Sequence, residues 1–457
     1  MLRAARAAEQ IGIPSATIVS TGFLRQAAST ARALGIEGAR IVEYPGVIPM
    51  DTTEQLETKV AGVVLDGIVE GLARDGAAAA SDTVTEPQPT DIVFTGSFDE
   101  VLEHFHDQQW TDGLPVVPPT RDRVEAFLAH TQREAEEVIG VLPIELRTAT
   151  VWSVAVNGVM AGCRPEYFPI LLAIADAIAD PEFRLEDAGS TPGWEPLVIV
   201  SGPMVERLGF NSLGGAMRVG RQANTSIGRF LRLFLRNVAG FLPPPGSTDK
   251  GSIGTTFNVA LAENDSATRA IGWDPLRVEQ GFALDDDVVT VQSVVAISPP
   301  IYSGGSDPVG IIGPIAYYLG TTPGPWAFTG VWYGRLHPLI VMSPAVAQAF
   351  VDAGWGKDEI RRYLFENTTI SARWFEEYPV HVAGQGRRLA QLVADGLADA
   401  RYATSEDPDR LVPQLQRAES TNIVVAGDPG RNQSRIYANN HEQGPPISRR
   451  VDWLADA

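Results

Sequence analysis

Cysteine is almost absent: Cys163 is the single one in 457 residues. No internal disulfide can form, which fits a reducing compartment. Long apolar runs are missing too. None reaches the ~18 residues a membrane span needs, and the opening MLRAARAAEQIGIP lacks the apolar core of a secretory signal. Basic residues are in deficit, 36 Lys+Arg against 56 Asp+Glu, for a formal net charge of −20. Such a chain repels nucleic acid and anionic lipid unless basic groups cluster locally. Of the 6 histidines none stands in an HExxH pattern, and no paired CxxC occurs, so no metal site is signalled. Only EHFHD at 103–107 gives a weak hint, through His104 and His106. The expectation is a soluble cytoplasmic protein with no nucleic-acid or membrane partner; the sequence names no cofactor.

What is present is ordinary globular composition, 44% hydrophobic, with 44 glycines and 33 prolines punctuating many short elements. Residues 1–73 alternate helix and strand. ATIVS (16–20) and ARIVEYP (39–45) read as strands, GFLRQAASTARALGI (22–36) as a helix, and Asp51 with Glu54 as a capping box opening another helix. This predicts a parallel βαβα segment, a flavodoxin-like half-domain. Two strands do not make a stable sheet. Either the rest of the chain extends the sheet, or a partner subunit or upstream segment completes it, which implies an oligomer. Residues 74–91 read as a small, polar, Pro-bearing linker. Residues 92–457 form a large loop-rich α/β or α+β body. Helices are expected from Thr120 and from Thr131, the second with a Thr131/Glu134 capping box. Strands are expected in WEPLVIVSGP (194–203), VVTVQSVVAIS (288–298) and HPLIVMSP (337–344). Ser343 and Pro344 open one helix, and KDEIRRYLFENT (357–368) forms another. No internal repeat is visible, and periodicity weakens beyond about residue 402.

Chemistry concentrates in two stretches. In TVWSVAVNGVMAGCRPEYFP (150–169), Val151, Val154, Ala155, Gly158 and Val159 fall at helical spacing, with Asn157 the lone amide. Gly162 ends that helix, and Pro165 opens the next. Cys163 then sits just before a helix start, where the dipole and Arg164 would favour a thiolate and Glu166 could move protons. The alternative is a buried, protonated, inert cysteine. In NSLGGAMRVGRQANTSIGRFLRLFLRNVAG (211–240), Ile227, Phe230, Leu231, Phe234, Leu235 and Val238 mark an amphipathic helix capped by Asn224, Thr225 or Ser226. Before it, a Gly-rich loop carries Arg218 and Arg221, an arrangement suited to a carboxylate or phosphate. It is not a Walker loop. Arg229, Arg232 and Arg236 read as a face pairing with this acidic chain. Trp110, beside the Asp112–Gly113 turn, is a candidate pocket wall.

GIPSATIVSTGFLRQAASTARALGI with EYPGVIPMD resembles the C-terminal half of a UGSC-type domain, a family named for a U/C-G-S-C motif. TDGLPVVPPT, AVNGVMAGCRPEYFPILLAIADA and LVIVSGP resemble the large region joined to it, up to about residue 370. The motif itself is absent from this sequence; TGSFD (95–99) is not one. The resemblance implies thiol or redox chemistry. Together these readings favour an enzyme or enzyme subunit acting on a small anionic organic molecule by thiol-dependent redox or lyase chemistry. Cys163, Glu166 and Asn157 would be catalytic, and Arg164, Arg218, Arg221, Ser226 and Trp110 would bind substrate. A non-catalytic binding or scaffolding subunit and a metal-dependent hydrolase or lyase are the alternatives.

Overall fold

The structure is a computed structural model. It describes residues 2–33, 36, 38–46, 48, 51–73, 89–188, 193–243, 253–254, 256–324, 334–378 and 388–454. Most of the expected linker lies outside these residues. The chain divides into two compact units: residues 1–91 with 376–387, and residues 92–375 with 388–457.

In the first unit, α1 (Leu2–Gln10), β1 (Thr17–Ser20), α2 (Leu24–Ala33), β2 (Ile41–Tyr44), α3 (Thr53–Lys59) and α4 (Leu65–Ala73) follow one another. β1 and β2 pair in parallel, Thr17 opposite Ile41, and bury Val19, Val42 and Tyr44. Ile11, Ile13 and Phe23 are exposed. The capping box lies one residue beyond the expected one. The Thr52 hydroxyl accepts from the Gln55 amide and the Gln55 side chain accepts from the Thr52 amide. Asp51 is unavailable because its carboxylate is taken by Lys59 at 2.6 Å and by the Tyr44 hydroxyl.

The second unit begins with α5 (Phe98–Asp107), α6 (Arg121–Leu128), the antiparallel pair β3 (Val138–Leu142) and β4 (Arg147–Thr150), then α7 (Val151–Met160) and α8 (Phe168–Ala179). No helix forms from Thr131. Its hydroxyl instead accepts from the Arg133 amide, and the apolar residues after Glu137 enter β3.

The remainder follows one plan twice. The first module runs β5 (Glu195–Ser201), α9 (Met204–Arg207), α10 (Gln222–Phe234), β6 (Leu261–Ala262), α11 (Asp265–Ala270), α12 (Leu276–Glu279) and β7 (Val288–Val294), with α8 ahead of it. Next come β8 (Ala296–Ile297) and β9 (Ile301–Tyr302). The second module runs α13 (Pro308–Thr321), β10 (Leu339–Met342), α14 (Pro344–Asp352), α15 (Lys357–Asn367), β11 (Thr369–Ser371), β12 (Leu411–Pro413), β13 (Asn422–Val425) and β14 (Gln433–Ala438). β15 (Ile447–Arg450) closes the chain's strands. β5 lies between parallel β6 and antiparallel β7; β10 lies between parallel β13 and antiparallel β14. Superposing PLVIVS (196–201) on PLIVMS (338–343) preserves the register: Ile199 faces Leu261 where Val341 faces Val424. Even the closing bonds match, Glu263 N–H to Val200 O at 2.9 Å and Ala426 N–H to Met342 O at 3.0 Å. Each module then gives its next strand to the other sheet. β8 pairs with β14, and β15 pairs with β7. The expectation of no repeat is thus corrected: the topology is duplicated while the sequence has kept only a short echo.

Alternation along the strands sets the layers. Leu197, Ile199, Leu261 and Val294 share one core with Leu339, Val424 and Tyr437, so the two sheets face each other. Val198, Val200, Val289 and Val291 turn the other way, onto α7, α8 and α10. Ile340, Met342, Ile423 and Ile436 turn onto α13, α14 and α15. The result is a helix–sheet–sheet–helix body. Among the described residues no helix is long and apolar enough to cross a membrane.

Candidate functional site

Gly162 ends α7 in the left-handed conformation, φ 77°, where a Cβ would be strained. Cys163 follows, its amide bonded to Gly158 O at 3.1 Å. Arg164 is extended, Pro165–Tyr167 make a 3-10 turn, and α8 starts at Phe168 with Pro169 in its first turn. The Cys163 side chain points inward and packs in the α7–α8–α10 core, 9% exposed. The hydroxyl of Ser226 and the guanidinium of Arg229 both favour its thiolate. Burial outweighs them and pushes the thiol up to about 12. A dipole-stabilised thiolate is therefore not what this environment gives; the thiol is protonated at neutral pH.

Asn157 is buried, with both of its side-chain polar atoms hydrogen-bonded. It donates to Ser153 O at 2.9 Å and accepts from the Asn237 side chain at 2.8 Å. Glu166 is half-buried and lies 3.4 Å from Arg164. Trp110 meets Phe105 and His104 edge-on, at 5.4 and 5.6 Å. His104 stacks on Phe94, and His106 bonds Thr111 at 3.1 Å. Among the described residues no group of three His, Cys, Asp or Glu is placed to hold a metal.

α10 begins earlier than expected. Gln222 is its first residue and Arg221 its cap, with no side-chain cap bond. Asn224, Thr225 and Ser226 lie inside the first turns, Asn224 claimed by tertiary partners and the other two by local bonds. Asn224 bridges the Asn211 backbone and Ala260 O, Thr225 accepts from Gly220 N–H, and Ser226 donates to Gln222 O at 2.7 Å. Gln222, which sequence reasoning passed over, joins the two stretches. It accepts from Arg164 Nε at 2.8 Å and donates to Gly162 O at 3.3 Å. The Cys163–Glu166 turn and the start of α10 therefore meet at Gln222. Arg218 and Arg221 are exposed, and among the described residues neither guanidinium has a hydrogen bond or ion pair.

The other three arginines of α10 are spent within the chain. Arg229 grips Asp112 with two bonds of 2.8 and 2.7 Å, and this holds the Asp112 carboxyl below its usual range despite burial. Arg232 pairs with buried Glu195 at 3.0 Å, and Arg236 donates to Gln109 O at 2.7 Å. The residues Asp112 and Arg229 are 117 positions apart. Only the spacing of the three arginines along one helix face hinted at a partner segment.

No curated protein matches the chain, and no solved structure does. Residues 1–74 match the model of the UGSC family, which agrees with the resemblance read in this N-terminal segment.

Proposed function

We propose that this chain is an enzyme or enzyme subunit that recognises a small organic anion at the start of α10. One observation carries the reading: Arg218 and Arg221 are unpaired and exposed in a chain of net charge −20, beside a helix start with no side-chain cap. Uncapped amides and free guanidiniums together favour a carboxylate or phosphate. Arg164, anchored by Gln222, adds a third cation, and Glu166 beside it serves as the proton-transfer group. Titrating the full chain with phosphate and short carboxylates tests this. The Arg218→Gln/Arg221→Gln variant should weaken binding about ten- to a hundredfold, the scale of one charged hydrogen bond, because both exposed guanidiniums are screened by water. Unchanged affinity overturns the reading.

A second reading, thiol chemistry at Cys163, is favoured by the Ser226 and Arg229 contacts alone. Burial argues the other way. Alkylation of the native chain by iodoacetamide at pH 7.5 decides it: the sealed thiol should react far more slowly than free cysteine, and a rate at or above that of free cysteine restores the thiol mechanism.

A further inference from the structure

β11 and β12 pair antiparallel, with Thr369 opposite Pro413 and Ile370 opposite Val412. The register runs one step beyond the strands and sets Thr368 opposite Gln414, whose amide donates to Thr368 O at 3.0 Å. Side chains directly across an antiparallel pair share one face, with Cβ atoms about 5 Å apart. Alternation puts these two on the face of Ile370 and Val412, which turns into the core built with α13 and α15. Thr368 is 1% exposed and Gln414 is 0% exposed. Among the described residues, Gln414 Oε1, Gln414 Nε2 and Thr368 Oγ1 have no hydrogen-bond partner. The neighbouring side chains Leu364, Val412 and Leu415 are buried and apolar. A primary amide sealed in hydrocarbon with both ends unpaired is among the costlier arrangements a core can hold.

We infer that Thr368 and Gln414 form a buried binding site for ordered water, which bridges the Gln414 amide and the Thr368 hydroxyl. A buried water makes about three hydrogen bonds, and three unpaired atoms side by side supply that number. None of the three carries a formal charge, so a neutral molecule that both donates and accepts fits, and an ion does not. The bridge adds a rung to the β11–β12 ladder inside the core. It also ties that ladder to α15, because the Thr368 amide donates to Leu364 O at 2.8 Å. The site is independent of the anion reading above.

A crystal structure of the full chain reads the site directly. Density for a water within about 3.2 Å of the Gln414 amide and of Thr368 Oγ1 is expected. Protein partners on these atoms, or no density between them, overturns the inference. Urea unfolding tests it in solution. Gln414→Leu and Thr368→Val each nearly keep the shape and delete polar atoms. Deleting dry, unpaired atoms would relieve a penalty and raise the urea midpoint. With water bound, each substitution leaves the water and the opposite residue short of a partner, so each should lower the midpoint. The double substitution should lower it by less than the sum, because both act on one bridge. A raised midpoint in either single variant, or fully additive losses, overturns the shared water.

Discussion

The two modules of the body share strand order, register and strand-end hydrogen bonds, yet their corresponding helix starts are opposites. In the second module, α15 is closed off. The Gly356 amide donates to Glu359 at 2.9 Å, and the first residue, Lys357, is buried against Glu279 at 2.9 Å and Asp274 O at 2.7 Å. In the first module, α10 has no side-chain cap and is flanked by two unpaired guanidiniums. The strand ends differ in the reverse sense. Ser201 at the end of β5 donates to the buried carboxylate of Glu263, which also accepts from the Leu276 amide, and Arg277 reaches both Ser201 and Asp265. At the matching place in the second module stands Ala426, and Ser343 donates to the Arg431 carbonyl. One scaffold, used twice, has divided its labour. The second copy spends its helix start on stability. The first spends charged groups beneath its strands and leaves its helix start without a side-chain cap.

The charged cluster should show the largest effect. The Arg277 side chain is fully buried, and it satisfies Ser201, Asp265 and the Leu284 carbonyl. Arg277→Leu strands those groups in the core and should cost about 3–5 kcal/mol by urea denaturation. A loss under about 1 kcal/mol would mean the first module does not depend on its charges, and the contrast with Ala426 would lose its meaning. Acid is the complementary probe of the second module. His337, just before β10, and His441, after β14, are both held down to about 4 by burial. Exposed Glu442, 3.6 Å from His441, does not offset this. Their folded values lie below the unfolded value near 6.5, so the stability they contribute is full above about pH 6.5 and is lost as pH falls toward 4. At pH 5 the loss is about 2 kcal/mol for His441 and less for the partly exposed His337. Urea midpoints at pH 7 and 5 should therefore differ less in His441→Gln than in the parent chain. An equal difference removes His441 from the account.

How much of this the residues announced varies with the range of the forces involved. The central strands were legible because EPLVIVS and PLIVM are apolar, β-branched runs bounded by turn residues. The α14 start was legible because Ser343 and Pro344 act on their own backbone. The Cys163 turn and the α10 loop could be placed at helix starts for the same local reason. What failed was decided at a distance. The start of α10 moved to Gln222 because Asn224 is claimed by Asn211 and Ala260. The segment at Thr131 gave up its helical pattern to pair with β4. β13, β14 and β15 were unread because each is stabilised by a strand far away in sequence. The protonation of Cys163 followed from packing that no local pattern reports. The duplication went unseen because its signal in sequence is one hexapeptide.

The smallest predicted effect bears most directly on the division of labour, because the two helix starts can be exchanged. Arg221→Asp supplies α10 with the cap it lacks; capping by Asp should raise stability by about 1 kcal/mol and, by setting a carboxylate where the ligand's would lie, abolish anion binding. Glu359→Gln keeps a hydrogen-bond acceptor at α15 but removes its charge, which should cost about 0.5 kcal/mol and leave anion affinity untouched. Thermal unfolding and the same anion titration read both substitutions. Stability gained and binding lost at one helix, with the opposite sign of stability and no change of binding at the other, is the pattern a divided scaffold requires. Retained anion affinity in Arg221→Asp would show that the start of α10 is as inert as that of α15, and the two modules would then differ in sequence without differing in task.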